Sequence, residues 1–172
     1  LKEGLGIKGL RILLVIVVLA IAALGMKSFI EEEILEVKHA IYPLNYMDSV
    51  EKYAEDKKGA EYSTIITLEN SFHGRTLTTL AATGQEHYHE LFQPLTPGFV
   101  YAEANNLESV EKLVAENKVA AIMFEAVQGE GGVNILDKDY VQTVAALCEK
   151  NDILLIVDEV QTGVGRTGKL FA

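Results

Sequence analysis

Three short stretches concentrate the side chains that could do chemistry. Residues 71–75, Ser-Phe-His-Gly-Arg, set an aromatic ring, an imidazole and a guanidinium side by side. Residues 125–132, EAVQGEGG, place Glu125 and Glu130 among glycines, and residues 158–168, DEVQTGVGRTG, offer Asp158, Glu159, Val160, Gln161 and Arg166 between further glycines. Together these types suit an aromatic nitrogen heterocycle that carries a phosphate. A carboxylate such as Asp158 facing the ring nitrogen would keep it protonated and make the ring an electron sink. Phe72 could stack on the ring, the Gln161 amide could hydrogen-bond a ring oxygen, and Arg75 could grip a substrate carboxylate through two parallel hydrogen bonds. Taken alone, Asp158 is ambiguous, because an acid closing an apolar strand also serves metal and nucleotide sites and caps helices.

The elements that must position these groups are read from the apolar pattern. Residues 153–157, ILLIV, are too few for a typical helix and rich in β-branched types, so they predict a strand buried on both faces, with Asp158 and Glu159 at its carboxyl end. Upstream, similar runs at 64–68, 99–101 and 119–127 alternate with helical stretches at 75–84, 107–117 and 139–151. The fold class is therefore α/β, a mostly parallel sheet flanked by helices, since right-handed crossovers make successive strands parallel. All three chemistry-bearing stretches then follow strand ends and share one rim, where open α/β sheets bind ligands. Ahead of the first strand, a helix is expected from an amino-terminal cap at Asp48 to Lys57, Lys58 and Gly59. Residues 31–38, acidic at the start and ending in Lys38, suit another, and Pro43 ends what precedes it.

Composition narrows the classes of partner. The chain has 172 residues, 49% hydrophobic and 23% charged, enough for the core of one ordinary domain. Its net charge is -10 with the acids spread along it, so no basic stripe could neutralise nucleic-acid phosphates. The single cysteine, Cys148, excludes a disulfide framework, makes a reduced, cytoplasmic setting the expectation, and reads as a buried helix residue. His87 and His89 have a metal-like spacing without a third ligand nearby, which reads as a surface turn, and no metal is expected. Glu125 reads as structural. Residues 12–26 form an uncharged run flanked by Lys8, Arg11 and Lys27, shorter than the roughly 20 residues of a membrane helix but long enough for the apolar part of a signal peptide.

Four blocks, IITLENSFHGRTLTTLAATGQ, PLTPGF, FEAVQGEGGV and LLIVDEVQTGVGRTGKLFA, closely resemble the class III pyridoxal-phosphate-dependent aminotransferases, in the family's order and spacing, over about residues 51–172. The resemblance implies part of a fold type I large domain, pyridoxal 5'-phosphate as cofactor, and a homodimer with active sites at the subunit interface. It also implies amino transfer between N-acetylornithine and 2-oxoglutarate, in arginine biosynthesis. Position by position, it implies that Phe72 stacks on the cofactor ring, Val160 packs on the opposite face, Asp158 pairs with the pyridine nitrogen and Gln161 partners the ring oxygen, with Glu159 in the same cofactor-binding block. Arg75 would bind a substrate carboxylate, and Glu130 would help a substrate-binding arginine, expected beyond Ala172, to switch between ligands. His73 is left as a supporting or interface residue without an assigned role.

Two departures from the family pattern qualify that expectation. The lysine that bonds the cofactor should follow Asp158 by some tens of residues, and Lys169 is too close and in the wrong motif, so no catalytic residue is expected within these 172 and the chain reads as a fragment, inactive alone. The phosphate-holding loop, of the form Ser-Gly-Ala-Glu-Ala-Asn at a helix start, should stand about where residues 13–23 lie, and that apolar run cannot supply it. Residues 1–50 are accordingly an atypical amino-terminal segment, divergent or read in a shifted frame: for residues 14–19 the codons CTT GTA ATA GTG GTG CTN, shifted, encode Cys-Asn-Ser-Gly-Ala. Two other readings stand beside the first. One is another ω-aminotransferase of the class, acting on ornithine, succinylornithine or 4-aminobutyrate; the other is a non-catalytic, membrane-anchored α/β module resting on residues 12–26, in a chain without a GxGxxG or GxxxxGK[ST] phosphate loop.

Overall fold

A computed structural model describes residues 46–172. The expectations for the apolar run at 12–26, the helix at 31–38, the stop at Pro43 and the phosphate-loop region lie outside the described residues.

Helix α1 is described over Tyr46–Lys58, so Asp48 lies within it and not ahead of it as a cap. Strand β1, Thr64–Leu68, leads to a short helix α2, Leu77–Ala82, and then to β2, Phe99–Ala102, α3, Leu107–Glu116, and β3, Val119–Phe124. A small hairpin, β4 (Val127–Gln128) with β5 (Asn134–Ile135), precedes α4, Lys138–Lys150, and β6, Leu154–Val157. The main sheet runs β2-β1-β3-β6 with every neighbouring pair parallel, as the alternating pattern requires.

Alternation along the strands divides the core into two layers. Ile66, Leu68, Ile122 and Phe124 face Val110 of α3 and Tyr140, Val144 and Cys148 of α4. Ile65, Ala121 and Met123 face the other way, with Val50 and Ala54 of α1 and Ala82 of α2. Burying a side chain such as Phe124 or Ile122 contributes about 1.5–3 kcal/mol. These layers, with Asn106 capping α3 by accepting the Ser109 N–H at 3.2 Å, give the strand ends fixed positions.

Three elements differ from expectation for local reasons. Helix α2 spans 77–82 instead of 75–84, because Thr76 and Thr79 close its start and Gly84 leaves it to form a bridge with Glu69. Strand β3 stops at Phe124, three residues early: the buried Glu125 carboxylate accepts the Phe72 N–H at 3.0 Å, and the chain peels away into the β4–β5 hairpin. Strand β6 buries Ile153 just ahead of it, but Leu154 to Ile156 are half-buried and Val157 is 41% exposed, since β6 is the last strand of the sheet among the described residues.

Candidate active site

The connections from β1 and from β3 leave toward opposite edges of the sheet, so the crevice between their carboxyl ends is the topological switch point at which such sheets take ligands. The three chemistry-bearing loops meet there. Gly84 makes the first approach possible, since a Cβ at that position would stand 2.0 Å from the Leu68 carbonyl oxygen. The Gly84 N–H donates to Ser71 Oγ at 3.0 Å, and the His73 N–H to Thr83 Oγ1 at 2.9 Å, which folds residues 71–73 back over α2. Gly131 likewise packs on backbone, with a would-be Cβ 2.1 Å from the Asn70 carbonyl oxygen, and Gln128 Nε2 donates to the Glu69 carbonyl at 2.8 Å.

At the floor, Asp158 Oδ2 lies 2.9 Å from His73 Nδ1, and Oδ1 accepts the Val160 N–H at 3.1 Å. The His73 side chain is 1% exposed and that of Asp158 is 19% exposed. Burial pushes the Asp158 pKa upward, but the hydrogen bonds from His73 and Val160 outweigh it and hold the group below the usual carboxylate range. An ionised carboxylate only accepts, which assigns the proton of this contact to His73 Nδ1. His73 Nε2, also buried, has no hydrogen-bond partner among the described residues. Beside this pair, burial raises the pKa of Glu125 against the lowering effects of the Phe72 N–H, the His73 charge and the Gly129 N–H, with the Asp158 charge adding to the rise.

The outer edge is built from side chains. The Tyr88 hydroxyl donates to Glu130 Oε1 at 2.5 Å, and Gln85 Nε2 donates to Glu130 Oε2 at 2.8 Å and to the Ser71 carbonyl at 3.1 Å. These bonds lower the Glu130 pKa, and the bond to Glu130 raises that of Tyr88. Arg75 is exposed, with its guanidinium carbon 4.2 Å from the Tyr88 ring centroid and 5.7 Å from that of Phe72. Phe72 and Tyr88 meet edge to face at 5.7 Å.

The residues singled out in the sequence thus separate into groups. Phe72, Asp158 and Arg75 come together on the rim with Glu130. Val160 stands out from the surface, 84% exposed. Gln161 is exposed and leans on Gly129, where a Cβ would lie 2.2 Å from its Oε1. Glu159 closes its own loop, accepting from the Thr162 hydroxyl and from the Ala172 N–H. His73, given no role in the sequence, proves to be the partner of Asp158, and Glu125, read as structural, is the buried acid beside it. Only the spacing of 85 residues between His73 and Asp158 hid the first pair. His89, expected on a surface turn, is buried instead, its Nε2 3.0 Å from the Leu80 carbonyl, whereas His87 is exposed. Cys148 is buried in α4, its thiol pushed up to about 12 by burial.

A parallel sheet carries an ionised aspartate at the end of β6 and an aromatic ring and an arginine in the loop after β1, with glycine-mediated backbone approaches between the loops, an arrangement that suits a cofactor-dependent transferase site. The family model for aminotransferase class-III matches residues 45–172, and the chain belongs to that family. It is 57% identical over 121 residues to an acetylornithine aminotransferase of Haemophilus ducreyi, covering 70% of this chain and 31% of the relative, and 50% identical over 121 residues to that of Aquifex aeolicus, covering 70% and 32%. The chain therefore spans about a third of the length of the curated relatives it matches. Among solved structures, the ornithine aminotransferase from Toxoplasma gondii ME49 superposes with a TM-score of 0.69 at 33% identity, covering 74% of this chain and 31% of that one. An amine transaminase from an uncultivated Pseudomonas species, solved in a PLP-bound form, gives 0.69 at 25% identity, covering 74% and 33%.

Proposed function

We propose that residues 51–172 are part of the large domain of a pyridoxal-phosphate-dependent aminotransferase that moves an amino group between N-acetylornithine and 2-oxoglutarate, the activity of arginine biosynthesis. The observation that carries this reading is the ionised Asp158 locked on His73 at the switch-point rim, in a chain about half identical to acetylornithine aminotransferases over 70% of its length. The donor set fits the cofactor: an aspartate held below the usual carboxylate range can face a protonated pyridine nitrogen, and part of its carboxylate remains exposed. When bound, pyridoxal phosphate draws electrons away from the carbon that carries the migrating amine.

Each of the site residues has a task in that reading. Asp158 holds the ring nitrogen's proton, and His73 fixes the carboxylate that does so. Phe72 and Val160 offer apolar contacts to the two faces of the ring, Gln161 a hydrogen bond to its oxygen, and Glu159 keeps their loop closed. Arg75 takes a substrate carboxylate, and Glu130 is the acid that alternates as partner of a second arginine. The complete enzyme is a cytoplasmic homodimer in this proposal; no helix among the described residues is long and apolar enough to cross a membrane.

The assay is amino transfer to 2-oxoglutarate with N-acetylornithine, ornithine, succinylornithine and 4-aminobutyrate as competing donors, using the protein to which this chain belongs. Preference for N-acetylornithine is the expected result, and equal or better use of ornithine would move the assignment to the branch of the Toxoplasma gondii neighbour. The 172 residues assayed by themselves are expected to give no turnover, because Lys169, the lysine that follows Asp158, is too close to it in sequence and in the wrong motif to bond the cofactor. Turnover by this polypeptide alone would overturn that expectation.

A further inference from the structure

Arg75 and Glu130 carry opposite charges on neighbouring loops, and a carboxylate near a guanidinium ordinarily closes a two-point ion pair. Among the described residues Arg75 makes no ion pair. Both oxygens of Glu130 are already taken, Oε1 by the Tyr88 hydroxyl at 2.5 Å and Oε2 by Gln85 Nε2 at 2.8 Å. Gln85 is anchored in turn on the Ser71 carbonyl at 3.1 Å. The same Tyr88 turns the face of its ring to Arg75, 4.2 Å from the guanidinium carbon, while its edge-to-face contact with Phe72 fixes the ring's plane. The charge of Arg75 is near enough to help hold Glu130 ionised. The two groups are therefore close and mutually attractive, yet unpaired.

We propose that Tyr88 is a positioning residue that keeps Glu130 off Arg75, with its hydroxyl on the acid and its ring face under the base, so that Arg75 stays open to a carboxylate-bearing substrate. The second half of this statement rests on the reading of Arg75 as the substrate-carboxylate ligand. The physical distinction is one of geometry. A ring face attracts the guanidinium without occupying the N–H donors at its periphery, whereas a carboxylate uses two of them. Tyr88 thus places the cation while leaving its hydrogen-bonding edge free, and Gln85 holds the other carboxylate oxygen, so that only Oε1 is released when the Tyr88 hydroxyl is removed.

Two measurements on the 172-residue chain test this. The first is the titration of the Glu130 side-chain carboxyl by carbon NMR in four proteins: the parent, Tyr88→Phe, Arg75→Gln and the double variant. With Tyr88 present, Arg75→Gln should move the Glu130 midpoint little. In Tyr88→Phe the freed oxygen reaches Arg75, and adding Arg75→Gln should raise the midpoint clearly. Equal effects of Arg75→Gln in both backgrounds would overturn the proposal. The second is binding of 2-oxoglutarate followed at the Arg75 Nε–H resonance. Tyr88→Phe should weaken it by about fivefold, the upper range for an exposed ion pair. Adding Glu130→Gln should restore it, because an amide cannot neutralise Arg75. A loss that Glu130→Gln does not restore would mean that Tyr88 acts only through packing, and would also overturn the proposal. If 2-oxoglutarate moves no Arg75 resonance in the parent chain, Arg75 is not a carboxylate ligand; the titration cycle then still decides whether Tyr88 separates the pair.

Discussion

At the floor of the rim, Asp158 and Glu125 are held by a buried imidazole and by backbone N–H groups of their own and neighbouring loops. At its outer edge, Glu130 and Arg75 are held by Tyr88 and Gln85, side chains on a stretch with a single 3-10 turn. Both regions use the loops after β1 and β3. The floor fixes a charge with a buried imidazole and backbone N–H groups, and the edge fixes one with partly exposed side chains that can rotate away. Under the function proposed above, the first kind of support suits a cofactor ring, whose electronics depend on one constant partner, and the second suits substrates that differ in length and charge.

The largest expected effect comes from breaking the floor at its backbone. In Gly84→Ala the new Cβ would meet the Leu68 carbonyl oxygen at 2.0 Å, and neither strand β1 nor the bridge at Glu69 can yield. The cost should be about 3 kcal/mol, the upper range for overpacking a tight site, read as a shift of the urea midpoint. Gly129→Ala is the control: its Cβ meets the end of the Gln161 side chain, which can rotate, so stability should change far less. Equal losses in the two variants would mean that the floor is no stiffer than the loops above it.

A second pair of variants separates the two acids of the floor. The Asp158 pKa is lowered on folding, so its contribution to stability is present above the unfolded value of about 3.9 and is lost as the pH falls through the folded one. That of Glu125 is raised, so stability is fullest below about 4.3 and declines as the pH rises through the folded value. Asp158→Asn should therefore cost about 2 kcal/mol at neutral pH, the worth of a hydrogen bond to a charged acceptor. Glu125→Gln keeps an oxygen for the Phe72 N–H and should be neutral or stabilising, by an amount that grows with pH. Denaturation series from pH 3 to 7 would show slopes of opposite sign relative to the parent, and parallel slopes would refute the contrast.

Much of this arrangement was legible in the sequence, and the remainder has identifiable reasons for being hidden. The parallel sheet followed from apolar runs such as TIITL and VAAIMF alternating with helical stretches, because each run is buried on both faces and carries little else. The common rim followed from that topology. The ends of elements did not: Glu125 looks like a strand residue until its carboxylate is seen turned to the Phe72 N–H, and Gly84 looks like the end of a helix until it is seen packed on Leu68. The His73–Asp158 pair and the Tyr88–Glu130 pair join residues 85 and 42 positions apart, and pairing at such distances is set by the fold and not by local pattern. His89 was misplaced for the same reason, since its partner, the Leu80 carbonyl, belongs to a helix that had been expected to run past it to residue 84.

The smallest expected effect lies on the surface above the floor and tests whether support and recognition are separable there. Val160 contributes its N–H to Asp158 Oδ1 while its side chain stands 84% exposed. Val160→Ser retains the N–H and removes only the apolar surface, so the urea midpoint should stay within about 0.5 kcal/mol of the parent, as for exposed positions generally. If the side chain packs on a cofactor ring, the same change should weaken pyridoxal phosphate binding by roughly twofold to tenfold, corresponding to an apolar contact of about 0.5–1.5 kcal/mol, measured by equilibrium titration of the cofactor's absorbance. Loss of binding without loss of stability would assign Val160 to the ligand. Loss of stability alone would return it to the loop, and would leave Phe72, Asp158 and Gln161 as the residues of this chain on which the cofactor reading depends.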